Sequence, residues 1–163
     1  MPAIITVTFN PAIDKSTLVP AMIPEKKLNC SLPIYEPGGG SINVARAIKK
    51  GGEAIAVYLA GGYTGKTFTQ LLSYESVESI VTETKESTRE NLIVLDAASN
   101  QQYRFGMPGP NIIIQEWQNC LNSIGHIQNV EYIVASGSLP RSACRYFCKT
   151  IIYSKEEKSK ANC

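Results

Sequence analysis

Apolar positions along the chain come in short runs broken by glycine and proline, and the period of each run predicts an element. Ala3 to Thr8 is β-branched and bounded by Asn10-Pro11, as a buried strand is. Between Asp14 and Pro37 apolar and polar positions alternate, as at Leu28, Cys30, Leu32 and Ile34. Alternation predicts half-buried strands, and Pro33 places one of them at a sheet edge. Gly38-Gly39-Gly40 is a sharp break. Ser41 follows as a candidate N-cap, Ile42 to Lys50 has the pattern of a helix, and Gly51-Gly52 ends it. Glu53 to Ala60 is strand-like, Gly61-Gly62 forms a turn, and Thr67 to Tyr74 predicts a second helix. Strand and helix recurring in this order predict an α/β domain with a parallel sheet.

Beyond Asn91 the pattern changes. Asn91 to Asp96 and Gln101 to Phe105, either side of a polar turn, predict a β-hairpin. Pro108-Gly109-Pro110 is a stop. Ile114, Trp117, Leu121 and Ile124 then share one stripe of a helix, and Tyr132 to Ala135 predicts a short strand. Arg141 to Ser154 has helical spacing, and the charges of Lys155 to Lys160 suit a solvated helix end. There is no internal repeat and no composition shift that marks a second domain.

Composition adds mostly exclusions. The chain has 163 residues, 44% hydrophobic and 18% charged, which is globular rather than disordered. A net charge of +2 is too weak to argue for nucleic acid or a membrane surface as partner. The five cysteines are scattered, with no CxxC spacing, and His126 is the single histidine, so neither a disulfide framework nor a Cys/His zinc site is expected. Cys144 and Cys148, one helical turn apart, suit two small residues on one helix face. No leader or spanning segment is visible, and a reducing cytoplasm is the default expectation.

Four constellations could carry chemistry. Three glycines before a helix, at Gly38 to Gly40, let backbone approach a ligand, and the helix N-terminus adds N–H donors, with Asn43 in reach. A flexible turn would look the same. Lys27, Arg89 and Arg104 are cations beside turns, of the kind that grip a phosphate monoester, but also of the kind that merely decorate a hairpin. Asp14 follows the first strand, where α/β folds bind ligands, and could accept from sugar hydroxyls or simply close an Asx-turn. Ala60-Gly-Gly-Tyr-Thr-Gly-Lys-Thr67 fits a relaxed Walker A pattern between a strand and a helix, which makes a P-loop nucleotide hydrolase a rival reading. Against that rival, the one Walker B candidate, Asp96, heads a hairpin turn.

The motifs also occur in a family order. Asn10-Pro-Ala-Ile-Asp14 is followed by Glu36-Pro-Gly-Gly-Gly-Ser-Ile-Asn-Val-Ala-Arg-Ala47 and Ala60-Gly-Gly-Tyr-Thr-Gly65. Then come Thr88-Arg-Glu-Asn91, Gln102-Tyr-Arg-Phe-Gly-Met-Pro-Gly109 and Ser136-Gly-Ser-Leu-Pro140. This series resembles the PfkB carbohydrate kinases over nearly the whole chain. Within them it looks most like the minor-type ATP-dependent 6-phosphofructokinases; 1-phosphofructokinases more often carry a lysine where this chain has Gly40.

The resemblance implies a ribokinase-like α/β/α fold with a mostly parallel sheet and a small β lid. Residues 1–163 would be the N-terminal portion of one kinase domain, with lid segments at about 14–37 and 88–107. It implies that Asp14 binds sugar hydroxyls, that Gly38, Gly39 and Asn43 line the sugar site, and that Ser138 sits at its edge. Lys27, Arg89 and Arg104 would lie near the substrate phosphate or the transferred group. The lid would close the site and make a homodimer. ATP and Mg2+ are the implied cofactors. The family's general base lies in a Gly-Ala-Gly-Asp motif that occurs nowhere in this sequence, so no catalytic residue is assigned here and an inactive sugar-binding fragment is expected. The chain also departs from the family where Lys49-Lys50 runs directly into Gly51-Gly52 without the usual leucine. A non-enzymatic truncated interaction partner is the remaining alternative.

Overall fold

The structure, a computed structural model, describes residues 3–140. The predicted helix from Arg141, the charged tail, and Cys144, Cys148 and Cys163 lie outside the described residues. Eleven elements follow in order: β1 (Ala3–Thr8), β2 (Ala12–Val19), β3 (Ile34–Gly38), α1 (Gly40–Lys49), β4 (Ala54–Gly61), α2 (Gly62–Tyr74), β5 (Glu78–Thr84), β6 (Arg89–Asp96), β7 (Gln101–Phe105), α3 (Ile114–Gly125) and β8 (Val130–Ala135).

They build two four-stranded sheets. The main sheet has the order β5-β4-β1-β8 and is parallel throughout. Its central strand β4 alternates between two cores, as the two-residue period of a strand requires. Val57 and Leu59 join Ile5, Val7, Trp117 and Cys120 beneath α3. Ala56, Tyr58 and Ala60 join residues of α1 and α2, among them Ile42, Phe68 and Leu72. Tyr58 meets Phe68 edge-on at 5.0 Å and donates its hydroxyl to Thr69 Oγ1 at 3.0 Å, so a buried polar tip is satisfied. Removing a ring of this kind costs about 3–5 kcal/mol. Burial on both faces explains why β4 is an unbroken apolar run.

The second sheet, β3-β2-β6-β7, is mixed: β2 pairs with β6 in parallel and with β3 antiparallel, and β6 and β7 form the expected hairpin. Asp96 closes its turn by accepting from the Ala98 N–H and the Ser99 hydroxyl, both at 2.9 Å. These bonds, the one from Ser99 above all, hold its carboxyl below the usual carboxylate range. Arg46 braces α1 against both neighbours, bonding Glu75 at 2.6 Å and Glu36 at 3.2 Å.

Several expectations need correction. Ser41 is not the N-cap: Gly39, at φ 132°, holds that position, and Ser41 lies inside α1. The Ser41 hydroxyl faces the end of β8 instead, accepting from the Ser136 N–H at 2.6 Å and lying 3.0 Å from the Val134 carbonyl. Leu28 to Leu32 forms no strand, and Leu32 is 92% exposed. The alternation there has no sheet to face, and one backbone bond, Ser31 N–H to the Leu18 carbonyl, ties it down. Pro33 precedes β3, which is indeed an edge strand. The α3 stripe holds at Trp117, Leu121 and Ile124, which pack into the core with Cys120, while Ile114 is exposed. Cys30 and Cys120 are free thiols, and burial pushes that of Cys120 up to about 11. No helix among the described residues is long and apolar enough to cross a membrane.

Candidate functional site

Where β2, β6 and β3 run side by side, Asp14 stands opposite Asn91 on one strand and Glu36 on the other. The Asn91 amide donates to Asp14 Oδ1 at 2.8 Å, and its carbonyl accepts from the Met107 N–H at 3.1 Å. Gly38 lies against the same carboxylate. A Cβ there would sit 2.7 Å from Asp14 Cγ, closer than nonbonded carbons come, so glycine is what lets Asp14 lie over the backbone. Asp14, Asn91, Asn43 and Arg104, with Phe105 and Gly106, surround a cavity of about 310 Å³. Asn43 comes from the first two turns of α1, whose first turn carries no acidic residue to offset the positive end of the helix. Arg104 reaches the cavity from β7, its Nε held by Gln102 at 2.9 Å.

Beside this cavity, Arg89 ties three segments together. One Nη donates to the Met107 carbonyl, the other to the Asn10 carbonyl and the Ser138 hydroxyl, each at 3.2 Å. The Asn10 amide donates to the same hydroxyl at 3.0 Å. Burial lowers the Arg89 pKa, while the charge of Asp14 opposes that shift. Among the described residues, Arg89 Nε and Asn10 Oδ1 are buried with no hydrogen-bond partner, which leaves one donor and one acceptor open. The glycine break also locks to this corner: a Cβ on Gly40 would come within 2.7 Å of the Gly137 nitrogen.

Of the residues singled out in the sequence, Asp14, Asn43 and Arg104 thus line one cavity. Gly38 supports it, Gly39 caps α1, and Arg89 and Ser138 bond to each other nearby. Lys27 is exposed on the segment between β2 and β3 and does not line the cavity. Asn91 and Asn10 were missed as site residues. Asn91 was legible, because it lies two residues from Arg89 on a strand and therefore shares its face. Asn10 had no such signal, since its partner Ser138 is 128 residues away.

The Walker-like run forms no loop. β4 passes directly into α2 at Gly61–Gly62, and residues 84–88 pack against these two glycines from one side while Tyr63 stays exposed. Thr88 accepts the Gly61 N–H at 3.1 Å on its hydroxyl, and the Thr64 hydroxyl donates to the Thr88 carbonyl at 2.7 Å. Lys66 lies along an open groove that runs from Gly61 and Gly62 past Tyr63 to Gln70 and Glu83.

The family model described as pfkB family carbohydrate kinase matches residues 8–163. The chain is 45% identical over 141 residues to ATP-dependent 6-phosphofructokinase isozyme 2 of Escherichia coli (strain K12), covering 86% of this chain and 46% of that one. The crystal structure of phosphofructokinase-2 from Escherichia coli in complex with fructose-6-phosphate superposes with a TM-score of 0.82 at 44% identity, over 87% of this chain and 47% of that one. A possible 1-phosphofructokinase from Thermotoga maritima gives a TM-score of 0.86 at 26% identity, over 96% of this chain and 51% of that one. The chain spans about half the length of these relatives. The sequence motifs, the parallel sheet with its second small sheet, and the family match agree that the chain belongs to the pfkB family of carbohydrate kinases.

Proposed function

We propose that the chain binds fructose 6-phosphate in the cavity between Asp14, Asn43 and Arg104, as the sugar-binding part of an ATP-dependent 6-phosphofructokinase. The observation that carries this reading is the pairing in one cavity of a carboxylate, an acceptor for sugar hydroxyls, with a guanidinium suited to a phosphate. The higher identity to the 6-phosphofructokinase relative, 45% against 26% for the 1-phosphofructokinase-like structure, favours this substrate, as does glycine at position 40. Arg89 and Ser138 bond to each other without lining the cavity, and their part in holding the phosphate rests on the family resemblance. The part of Lys27 rests on the family resemblance alone. Residues 14–37 and 88–107 act as the lid over the sugar, and exposed Leu18, Ile34, Tyr35 and Phe105 on that sheet support its use as a homodimer face.

ATP supplies the phosphoryl group in this reading, with Mg2+ to neutralise its charge. Among the described residues no group of three or more His, Cys, Asp or Glu could hold a metal ion, and no nucleotide or metal site is assigned on them. What this chain's residues do is bind and orient the sugar. Titration calorimetry tests the reading. Fructose 6-phosphate should bind, fructose should not, and Asp14→Ala should remove most of the affinity. A coupled assay with MgATP should show no turnover by this chain. Absence of binding overturns the proposal, and robust turnover would place a general base within these 163 residues.

A further inference from the structure

We infer that Asn91 is the positioning residue for Asp14, setting the carboxylate for the sugar and coupling it to the segment that follows β7. The inference rests on the reading that Asp14 binds the sugar. Asn91 bonds in two directions, to Asp14 Oδ1 at 2.8 Å through its amide nitrogen and to the Met107 N–H at 3.1 Å through its oxygen. Chemistry fixes that orientation. A flipped amide would set oxygen against carboxylate and NH2 against N–H, losing both bonds. The Met107 backbone is held on both sides of its Cα, because Arg89 takes its carbonyl at 3.2 Å. Arg89 and Asn91, two apart on β6, therefore clamp one residue from one strand face. With Oδ1 engaged, the other oxygen of Asp14 lies over Gly38, and Asp14 and Asn91 line the cavity together. Displacement of the Met107 peptide by lid movement would thus reach Asp14 through one side chain.

The informative variant is Asn91→Asp. It keeps an acceptor for the Met107 N–H but sets two carboxylates face to face, and a like charge at that distance disfavours double ionisation. The other charged groups around the pair are Arg89, whose field acts on Asp14, Arg104 in the cavity wall, and Glu36 opposite Asp14 on β3. All three are common to both proteins. Fructose 6-phosphate is titrated into the full chain and the variant from about pH 8 to about pH 5.5. Taking the affinity ratio at each pH cancels the ionisation of the ligand's own phosphate. At high pH the variant should bind on the order of tenfold more weakly or worse. The gap should close on acidification, as a proton enters between the carboxylates and restores a donor to Asp14. Asn91→Ser, unable to span both partners, should be weaker at every pH.

Equal affinity at high pH, or a gap that stays constant with pH while circular dichroism and melting show an intact fold, overturns the inference. If Asn91→Asp does not fold, equal affinity of Asn91→Ser and the parent chain overturns it instead. A parent chain that binds no fructose 6-phosphate overturns the functional reading and this inference with it. A parent that binds while both variants match it overturns this inference alone.

Discussion

Gly38 carries no side chain because Asp14 occupies the place where one would go. The carboxylate can then lie against the backbone of β3 while Asn91 holds its other side. Gly38→Ala would put a methyl group 2.7 Å from Asp14 Cγ and push the carboxylate off Asn91. A hydrogen bond to a charged group contributes about 1.5–3 kcal/mol, so sugar-phosphate affinity should fall about tenfold or more by calorimetry. Gly51→Ala is the matched control. Its Cβ would meet nothing within 4 Å, so affinity should hold, and the melting temperature should stay level or rise slightly. If both alanines weaken binding alike, glycine at 38 serves the turn and not the carboxylate. At this scale the sequence is readable only in part. Asp14, Asn43 and Arg104 stand out by type and context, yet which of them converge depends on the β2–β6 register, and that register is a long-range fact. Lys27 shows the converse, since a cation in a suggestive place can lie outside the cavity wall.

Elements with a single clear period were legible: β1, β4, the β6–β7 hairpin and the bulk of each helix stand where the apolar pattern puts them. Two failures share a cause. β5, Glu78–Thr84, mixes Glu and Thr among its apolar positions because it is the edge of the sheet and half solvated. Leu28 to Leu32 alternates like a strand but finds no neighbour to pair with. Pattern reports which face could be buried, not whether a partner strand is there. Ser41 failed differently. Serine after a glycine break suggests a cap, but glycine at φ 132° takes that position, and the hydroxyl is free to bind another element. It accepts the Ser136 N–H, and the Ser41 N–H donates to the Ser136 carbonyl at 3.2 Å, so one residue of α1 fixes the C-terminal end of β8. Ser41→Ala removes that acceptor from a part-buried N–H, and a neutral hydrogen bond of this kind contributes about 0.5–1.5 kcal/mol. Urea denaturation should show that loss, and hydrogen exchange should quicken in β8 before β1 or β4. An unchanged β8 would mean that strand pairing alone holds it.

On the scale of the whole molecule, the two ends of the main sheet are unlike. β5 closes one end with exposed Glu78 and Glu83, charges that discourage another strand from pairing there. β8 closes the other end with Tyr132 60% and Ile133 47% exposed and Glu131 as its one charge. Among the described residues no strand pairs with the outer side of β8, and an edge of that kind with apolar side chains is a template for a second strand. A net charge of +2 offers little repulsion between copies to prevent it. No strand of the second sheet pairs with β8. The chain should therefore associate as its concentration rises, with sedimentation velocity showing a shift to larger species. Ile133→Lys places a charge on the edge and should return the distribution toward monomer without lowering the affinity for fructose 6-phosphate, because Ile133 is outside the cavity wall. A parent chain that stays monomeric throughout would show that the β8 edge is protected in solution. Association that Ile133→Lys leaves untouched would move the contact elsewhere, with the exposed apolar residues of the β2–β3 side, Ile34 and Tyr35, as the next positions to charge.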